Sequence, residues 1–275
     1  MTKDNHFIFQ GSRHLPGVTV LNAEMNDFSY KKHAHEEIAL GVTLSGLQDF
    51  RCLGSHFKSK PGNIILFNPE EVHDGNPGTS APLKYVMLYI HPREISTLIN
   101  APEGPELSAP RISGTLLHDE ALKRQILSLA RCMTTKGSSR LEKELHIYEI
   151  ATWFARRTGK STEPARSRGK DKALQQVREY IHDNLQQDIS IDALCNVAHI
   201  SKYHFIRLFR GQFGITPHQY VLNCKVNKAR AIIGSGTPAS RTAQMCGFAD
   251  ASHLNRHFKR TYGITPKQYQ QQIAE

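Results

Sequence analysis

The chain has 275 residues, of which 39% are apolar, and a formal net charge of +10. This length fits about two domains. The five cysteines are scattered without a C-x-x-C pair, and no apolar run approaches the roughly 20 residues of a membrane span. The first residues, MTKDNHFIFQ, also lack the pattern of a signal peptide. We therefore expect a cytoplasmic protein rather than a secreted or membrane one.

The charge is concentrated in the second half of the chain. Residues 161–275 carry 16 Lys and Arg against 8 Asp and Glu, whereas the first 160 residues carry 19 against 17. A basic domain favours a polyanionic partner, because cations on phosphates release condensed counterions.

Residues 1 to about 110 have the pattern of a β-rich domain. Large and small side chains alternate in IALGVTLSG (38–46), apolar and larger residues alternate in YVMLYIH (85–91), and GNIILFN (62–68) is a short apolar run. Gly, Pro, Asn and Asp separate these segments. Several short strands with such turns predict a barrel or a sandwich.

A pair of helices is predicted next, with a short loop between them. The first carries an apolar face at helical spacing from Leu116 to Met133. Ser139 and Glu142 have the spacing of a capping box, which predicts the start of the second helix. We assign its apolar face to Leu141, Leu145, Tyr148, Thr152 and Ala155. Such a pair either completes a core or dimerises, and we favour dimerisation.

The segment TGKSTEPARSRGK (158–170) has no apolar periodicity and predicts a linker. After it the pattern is helical to the end, and one phrase occurs twice, as FGITPHQY (213–220) and YGITPKQY (262–269). In each copy Gly suits a helix end, Thr an N-cap, Pro the first helical position and Gln the third. The phrase therefore ends one helix and begins the next.

The repeat extends upstream of this phrase. Nine of twenty positions are identical between 201–220 and 250–269, and a shorter helix and a tight turn precede each copy. Two helices joined in this way form a helix-turn-helix, so the chain is predicted to carry two. Phasing of the second helices predicts outward faces, one with Lys202, Tyr203, Ile206, Arg207 and Arg210, the other with Ala251, Ser252, Asn255, Arg256 and Lys259. Arg suits guanine and Asn suits adenine, so we predict that these faces bind DNA.

These motifs make the C-terminal part recognisable. ISIDALCNVAHISKYHFIRLFRGQFGITPHQY and CGFADASHLNRHFKRTYGITPKQY resemble the DNA-binding domain of AraC/XylS-family transcription regulators over residues 171–275. The resemblance implies two helix-turn-helix units joined by a helix. It places base-reading positions at Tyr203, Ile206, Arg207, Ser252, Asn255 and Arg256. The chain departs from the family at Ala239 and Thr242, where large aliphatic residues are usual, which implies a less tightly packed second unit.

The N-terminal part resembles the cupin-type sensing domain attached to many AraC-type regulators. The residues that carry this resemblance are His33 and His35 in KKHAHEE and His73 in FNPEEVHDGNPG. It implies a small polar effector inside a barrel, with His33, His35, His73, Tyr85, Met87 and Tyr89 as candidate lining residues, although the last three also fit a plain core. Metal cupins carry a Glu where this chain has Ala39 or Leu40, so we assign no metal, no cofactor and no catalytic residue.

Together these features predict an α+β two-domain protein. Residues 1–157 form a cupin-like β-barrel with a helical pair, 158–170 a linker, and 171–275 an all-α double helix-turn-helix domain. The predicted function is sequence-specific transcription regulation in response to a small-molecule effector. The predicted partners are double-stranded promoter DNA, a second copy of the chain and, for an activator, RNA polymerase. Two alternatives remain open: a metal-dependent cupin enzyme fused to a DNA-binding domain, and a ligand-independent architectural DNA binder.

Overall fold

The computed structural model describes residues 5–98, 111–135, 137–158, 169–187 and 189–273. The chain divides into two compact units whose main parts meet in sequence near residue 162. Most of the predicted linker, residues 159–168, lies outside the described residues. The limits assigned to the two domains stay a prediction.

The strands of both sheets are short, and apart from residues 31–33 they belong to the N-terminal unit. In the described residues these strands are β1 (His6–Gln10), β2 (Val18–Met25), β3 (Tyr30–His33), β4 (Ile38–Ser45), β5 (Gln48–Cys52), β6 (Ser55–Ser59), β7 (Ile64–Phe67), β8 (His73–Pro77), β9 (Leu83–Ile90) and β10 (Leu116–Leu117). The same unit contains the helices α1 (Pro92–Leu98), α2 (Glu120–Thr134) and α3 (Arg140–Thr158).

The strands form two sheets. One has six strands in the order β1-β2-β9-β4-β7-β10, and the other has four in the order β3-β8-β5-β6. Within the described residues the hydrogen-bonded ladders make two separate sheets rather than one closed ring. The predicted α+β class, with a β-domain followed by a helical domain, is confirmed.

The alternation predicted in β4 and β9 divides the six-stranded sheet into an outer and an inner face. Val86, Leu88 and Ile90 lie on the outer face, in the same buried cluster as residues of α2 and α3. Tyr85 and Met87 are buried outside that cluster, on the inner face. Successive strand residues point to opposite sides, so the sheet packs its helices with one set and faces the four-stranded sheet with the other.

The helical pair is confirmed, with two corrections. Leu116 and Leu117 do not begin the first helix but form β10, which pairs with β7, and α2 begins after its N-cap, Asp119. In α3 the predicted apolar stripe does not face the core. Leu141 and Leu145 are 74% and 53% exposed, whereas the buried residues are Ile147, Ile150, Ala151 and Phe154. The orientation of α3 about its own axis is therefore set by the second apolar stripe, which packs into the core.

Helices make up the C-terminal unit in the described residues. They are α4 (Gly169–Asp183), α5 (Ile191–Ala198), α6 (Lys202–Phe213), α7 (Pro217–Gly234), α8 (Ala239–Met245), α9 (Ala251–Tyr262) and α10 (Pro266–Ile273). The pairs α5–α6 and α8–α9 are the two predicted helix-turn-helix units, and α7 joins them. None of the described helices combines the length and apolar character needed to cross a membrane.

The doubled phrase performs the predicted capping in both copies. Gly214 and Gly263 end their helices in the left-handed region, at φ 71° and 79°. The Thr216 hydroxyl accepts from the Gln219 backbone N–H while the Gln219 side chain accepts from the Thr216 N–H, and Thr265 and Gln268 repeat the exchange. These capping boxes fix where α7 and α10 begin.

Candidate DNA-binding faces and effector site

The first candidate DNA-binding face lies on α6. Lys202, Tyr203, Arg207 and Arg210 are exposed and Ile206 is half-buried, while the opposite side of the helix is anchored by the fully buried Phe205 and Phe209. Tyr203 is 79% exposed. An aromatic ring that contributes so little to the core is available for a partner.

Local interactions hold α6 at a defined angle to α5. The Ser190 hydroxyl caps α5 by accepting from the Ala193 N–H, and His199 ends that helix in the left-handed region at φ 53°. Lys202, the first residue of α6, reaches back to Asp192 of α5 with an N–O distance of 3.0 Å. His199 therefore sets where α5 ends, and the exposed Lys202–Asp192 pair links the start of α6 to the first turn of α5.

The second candidate face lies on α9. Ser252, Asn255, Arg256 and Lys259 are exposed and Ala251 is half-buried. The opposite side carries Leu254, Phe258 and Tyr262, all buried, and the Asp250 carboxylate caps the helix by accepting from the His253 N–H at 2.7 Å. All ten residues assigned to DNA from the sequence therefore lie on the exposed or half-buried sides of α6 and α9.

The looser packing expected of the second unit is not seen at Thr242. Its side chain is fully buried, and its hydroxyl donates to the Pro238 carbonyl at 3.0 Å. A buried hydroxyl with such a partner is not destabilising. Lys225 makes a further contact that the sequence did not indicate. Its ammonium, on α7, donates a hydrogen bond of 2.7 Å to the Gly247 carbonyl in the turn before α9.

His257 of α9 is half-buried. Its ring lies 4.7 Å from that of His253 and 6.4 Å from that of Phe248. Burial lowers the pKa of His257 below the ordinary histidine value, and the neighbouring His253 and Arg256 lower it further. The lowered pKa favours the neutral form of this half-buried ring.

The candidate effector residues on β9 lie on the inner face. Tyr85 donates to the Tyr30 hydroxyl at 3.0 Å across the two sheets, and burial raises the pKa of both phenols. Met87 packs over Gly41, where an added Cβ would lie 2.7 Å from its sulfur. This part of the inner face is thus both packed and polar.

Three further polar residues between the sheets were missed by the sequence analysis. Thr43 and Ser59, both fully buried, share a hydrogen bond of 2.7 Å. Gln48 is also buried, and its Oε1 has no hydrogen-bond partner among the described residues. Small polar residues within strands carry no motif, so only strand register could have revealed them.

The three candidate histidines occupy different places in the fold, and His35 lies just after β3. His33 ends β3 and His73 begins β8, the neighbouring strand of the four-stranded sheet. All three are buried, and the ring centroids of His35 and His73 lie 4.8 Å apart. Their role in lining an effector site stays a prediction.

Comparison with protein families decides the identity. Residues 15–151 match the AraC-like ligand-binding domain, and residues 194–272 match a helix-turn-helix domain. The chain belongs to the AraC family of transcription regulators. The two matches fall on the two units, one on each.

Relatives of this AraC-family chain carry regulator names. The probable transcriptional regulator LumQ of Photobacterium leiognathi is 41% identical over 95 residues, which are 34% of this chain and 38% of LumQ. The HTH-type transcriptional regulator YbfI of Bacillus subtilis is 25% identical over 228 residues, 82% of this chain and 81% of YbfI. The chain thus spans well under two thirds of LumQ but most of YbfI. As an AraC-family regulator it is not an enzyme, and the enzyme alternative falls.

Among solved structures, ToxT from Vibrio cholerae has the same fold. The TM-score is 0.60 at 13% identity, covering 94% of this chain and 100% of ToxT. Another ToxT structure, with an unsaturated fatty acid bound, gives a TM-score of 0.60 at 12% identity, over 99% of this chain and 98% of that one. At such low identity the likeness concerns the fold alone.

Proposed function

We propose that this AraC-family regulator reads promoter DNA with α6 and α9, and that an effector bound in its N-terminal unit controls that reading. The observation that carries the proposal is the duplication of a basic, exposed helix face on two capped helix-turn-helix units. One such face is ordinary for a helix surface. Two copies at equivalent positions, in a part of the chain with twice as many basic as acidic residues, favour a polyanion with a repeating structure.

The side chains of the two faces divide into three groups by their proposed role. Arg207 and Arg256, at equivalent positions of the repeat, are proposed to contact guanine in the major groove, and Asn255 to contact adenine. Lys202, Arg210 and Lys259 are proposed to hold phosphates, which position the helices without reading sequence. Tyr203, Ile206, Ala251 and Ser252 complete the surfaces against bases and sugars.

The spacing of the two faces suits adjacent turns of one duplex. The joining helix α7 has 18 residues, which corresponds to about 27 Å at 1.5 Å per residue. Successive major grooves on one side of B-DNA are roughly 34 Å apart. A single chain would then read two half-sites on the same face of the promoter.

For the effector we propose a small polar molecule between the two sheets, near His33, His35, His73, Tyr85, Met87 and Tyr89. Two observations support this choice. The buried Oε1 of Gln48 lacks a hydrogen-bond partner in the described part of the chain, and a buried polar atom of this kind usually has a bound partner. The hydroxyls of Tyr30 and Tyr85 also meet on the same inner face.

We further propose a homodimer formed through α3. Its exposed apolar stripe of Leu141, Leu145 and Tyr148 borders a groove of about 640 Å³ between α1 and α3. We choose a second copy as the partner of this face, because a twofold interface brings the same apolar stripe together from both copies. We also propose that the chain acts in the cytoplasm and that, as an activator, it contacts RNA polymerase. The five cysteines, all within the described residues, form no disulfide, which supports that location.

Sequencing genomic fragments that the purified full-length chain retains tests the proposal. We expect enrichment of a motif with two half-sites about one helical turn apart. Fragments without a common motif would contradict sequence-specific reading and favour the architectural alternative. Metabolites handled by the products of the genes beside the bound sites would then be tested for their effect on DNA affinity. An effector changes the balance between conformations of the protein only if it binds one conformation more tightly than another.

A further inference from the structure

The two helix-turn-helix units come into direct backbone contact at Gly247. This residue lies in the turn between α8 and α9, and its φ of 65° is in the left-handed region. A Cβ added to it would lie 2.6 Å from the Gln186 carbonyl oxygen and 2.8 Å from that of Leu185. Both carbonyls belong to the segment between α4 and α5, so the turn that leads into the second reading helix packs on the segment that precedes the first helix-turn-helix. Only glycine allows so close an approach.

Lys225 of α7 joins the same two segments. Its ammonium donates to the Gly247 carbonyl at 2.7 Å and to the Gln187 carbonyl at 3.3 Å, and the residue is 7% exposed. A buried charge is unfavourable unless hydrogen bonds replace its lost water, and bonds from a charged donor are stronger than neutral ones. Any movement that separates the two segments would break at least one of these bonds.

The contact at Gly247 adds to what α7 provides alone. The ring of Tyr220, near the start of α7, lies 5.5 Å from that of Phe209 of α6, and further along the helix Asn227 accepts from the Tyr262 hydroxyl of α9 at 2.8 Å. With these contacts alone, each helix-turn-helix could still shift against α7 independently of the other. A contact made directly between the two units removes that freedom.

We propose that Lys225 and Gly247 are positioning residues that hold α6 and α9 at one separation and one angle, so that the protein accepts its two DNA half-sites at a single spacing. The inference rests on the DNA reading by α6 and α9 proposed above. It goes further, because it assigns the choice of spacing to two residues that are not among the ten assigned to DNA.

Selectivity for spacing follows from the geometry of the duplex. B-DNA makes one turn in about 10–10.5 base pairs, over about 34–36 Å. One inserted base pair therefore moves the second half-site by about 3.4 Å along the axis and rotates it by about 35°. Two helices held rigidly cannot follow both changes, whereas loosely coupled helices can follow them by small movements.

Binding to duplexes of different spacing tests this inference. The wild-type duplex carries the two-part motif recovered from genomic fragments, and companion duplexes have one base pair inserted or removed between the half-sites. Fluorescence anisotropy with the full-length chain gives a Kd for each, and their ratio is the spacing penalty. We expect a penalty of about 10-fold or more for the wild type and below about 3-fold for Lys225→Met and Gly247→Ala. The first keeps the bulk of the side chain without its donor, and the second forces the two segments apart.

Two variants serve as matched controls. Lys228→Met removes the same charge from the same helix at a half-buried position. Gly236→Ala adds the same methyl group at another left-handed glycine, with φ 95°, where no atom lies within 4 Å of the added Cβ. Both should keep the wild-type penalty. Circular dichroism checks that each variant is folded, and Lys225→Gln replaces Lys225→Met if the latter is not, because its shorter amide cannot reach both carbonyls.

A merely structural role for the two residues predicts a different result, namely an equal loss of affinity at every spacing with an unchanged penalty. That result, or a wild type that tolerates the inserted base pair, overturns the inference and leaves DNA reading by α6 and α9 intact. If the wild type instead selects no two-part motif, the proposed function falls, and this inference falls with it.

Discussion

Thr242 is a residue on which the stability of the second helix-turn-helix depends. Thr242 takes the place of a larger aliphatic residue, yet its hydroxyl donates to the Pro238 carbonyl, which also accepts from the Thr242 backbone N–H. The polar atom therefore has a partner, and the carbonyl does not depend on the hydroxyl. Thr242 therefore departs from the residue type usual in the family, but its buried hydroxyl is hydrogen-bonded.

Replacing Thr242 by Val is accordingly expected to be mild. The backbone bond to Pro238 remains, so no buried group loses its only partner, and we expect the free energy of unfolding to change by less than about 1 kcal/mol. Ala243→Val is the matched comparison. Ala243 is 1% exposed, and added methyl groups in a packed site cost about 1–3 kcal/mol. Urea denaturation measures both variants, and a large loss for Thr242→Val would contradict this account.

Among the helices and strands, α3 matters most for the proposed dimer, because one of its apolar sides faces solvent. Leu141, Leu145 and Tyr148 lie on it, while Ile147 and Phe154 fill the core on the other side. A helix that is apolar on two sides can bury one against its own domain and keep the second for a partner.

We predict that Leu145→Glu weakens dimerisation at least 10-fold, because it places an unpaired carboxylate in an apolar interface. Sedimentation velocity over a range of concentrations measures the dimer dissociation constant. Ala121→Glu, on the exposed start of α2, adds the same charge away from the stripe and should leave the constant unchanged. Equal behaviour of both variants would exclude α3 from the interface.

How far the sequence predicts an element depends on what defines it. The capping boxes at Thr216 and Thr265 were found because their geometry is local, within four residues. The strands β4 and β9 were found because a period of two reports a half-buried sheet. The face of α3 was missed because two apolar stripes compete on one helix, and only packing against the sheet selects between them. The hydroxyl pair of Thr43 and Ser59 depends on register between distant strands, which no local pattern encodes.

On the scale of the whole molecule, the uneven charge predicts how DNA binding responds to salt. The two reading faces contain five cations: Lys202, Arg207, Arg210, Arg256 and Lys259. Each phosphate that is neutralised contributes about −0.9 to the slope of log affinity against log salt. We expect a slope of about −2 to −5 for the full-length chain, measured by fluorescence anisotropy on a fixed duplex. An affinity independent of salt would contradict the electrostatic part of the account.

In the proposed mode of binding, one chain carries two separate DNA-reading helices, α6 and α9. The most direct test selects binding sites from a random-sequence library with wild type, Arg207→Ala and Arg256→Ala. Each substitution should cost about 1–3 kcal/mol on the wild-type site. Arg207→Ala should erase base preference in one block of the site, and Arg256→Ala in another block about one helical turn away. Loss of preference at the same positions, or an equal loss of affinity for all sequences, would contradict the claim.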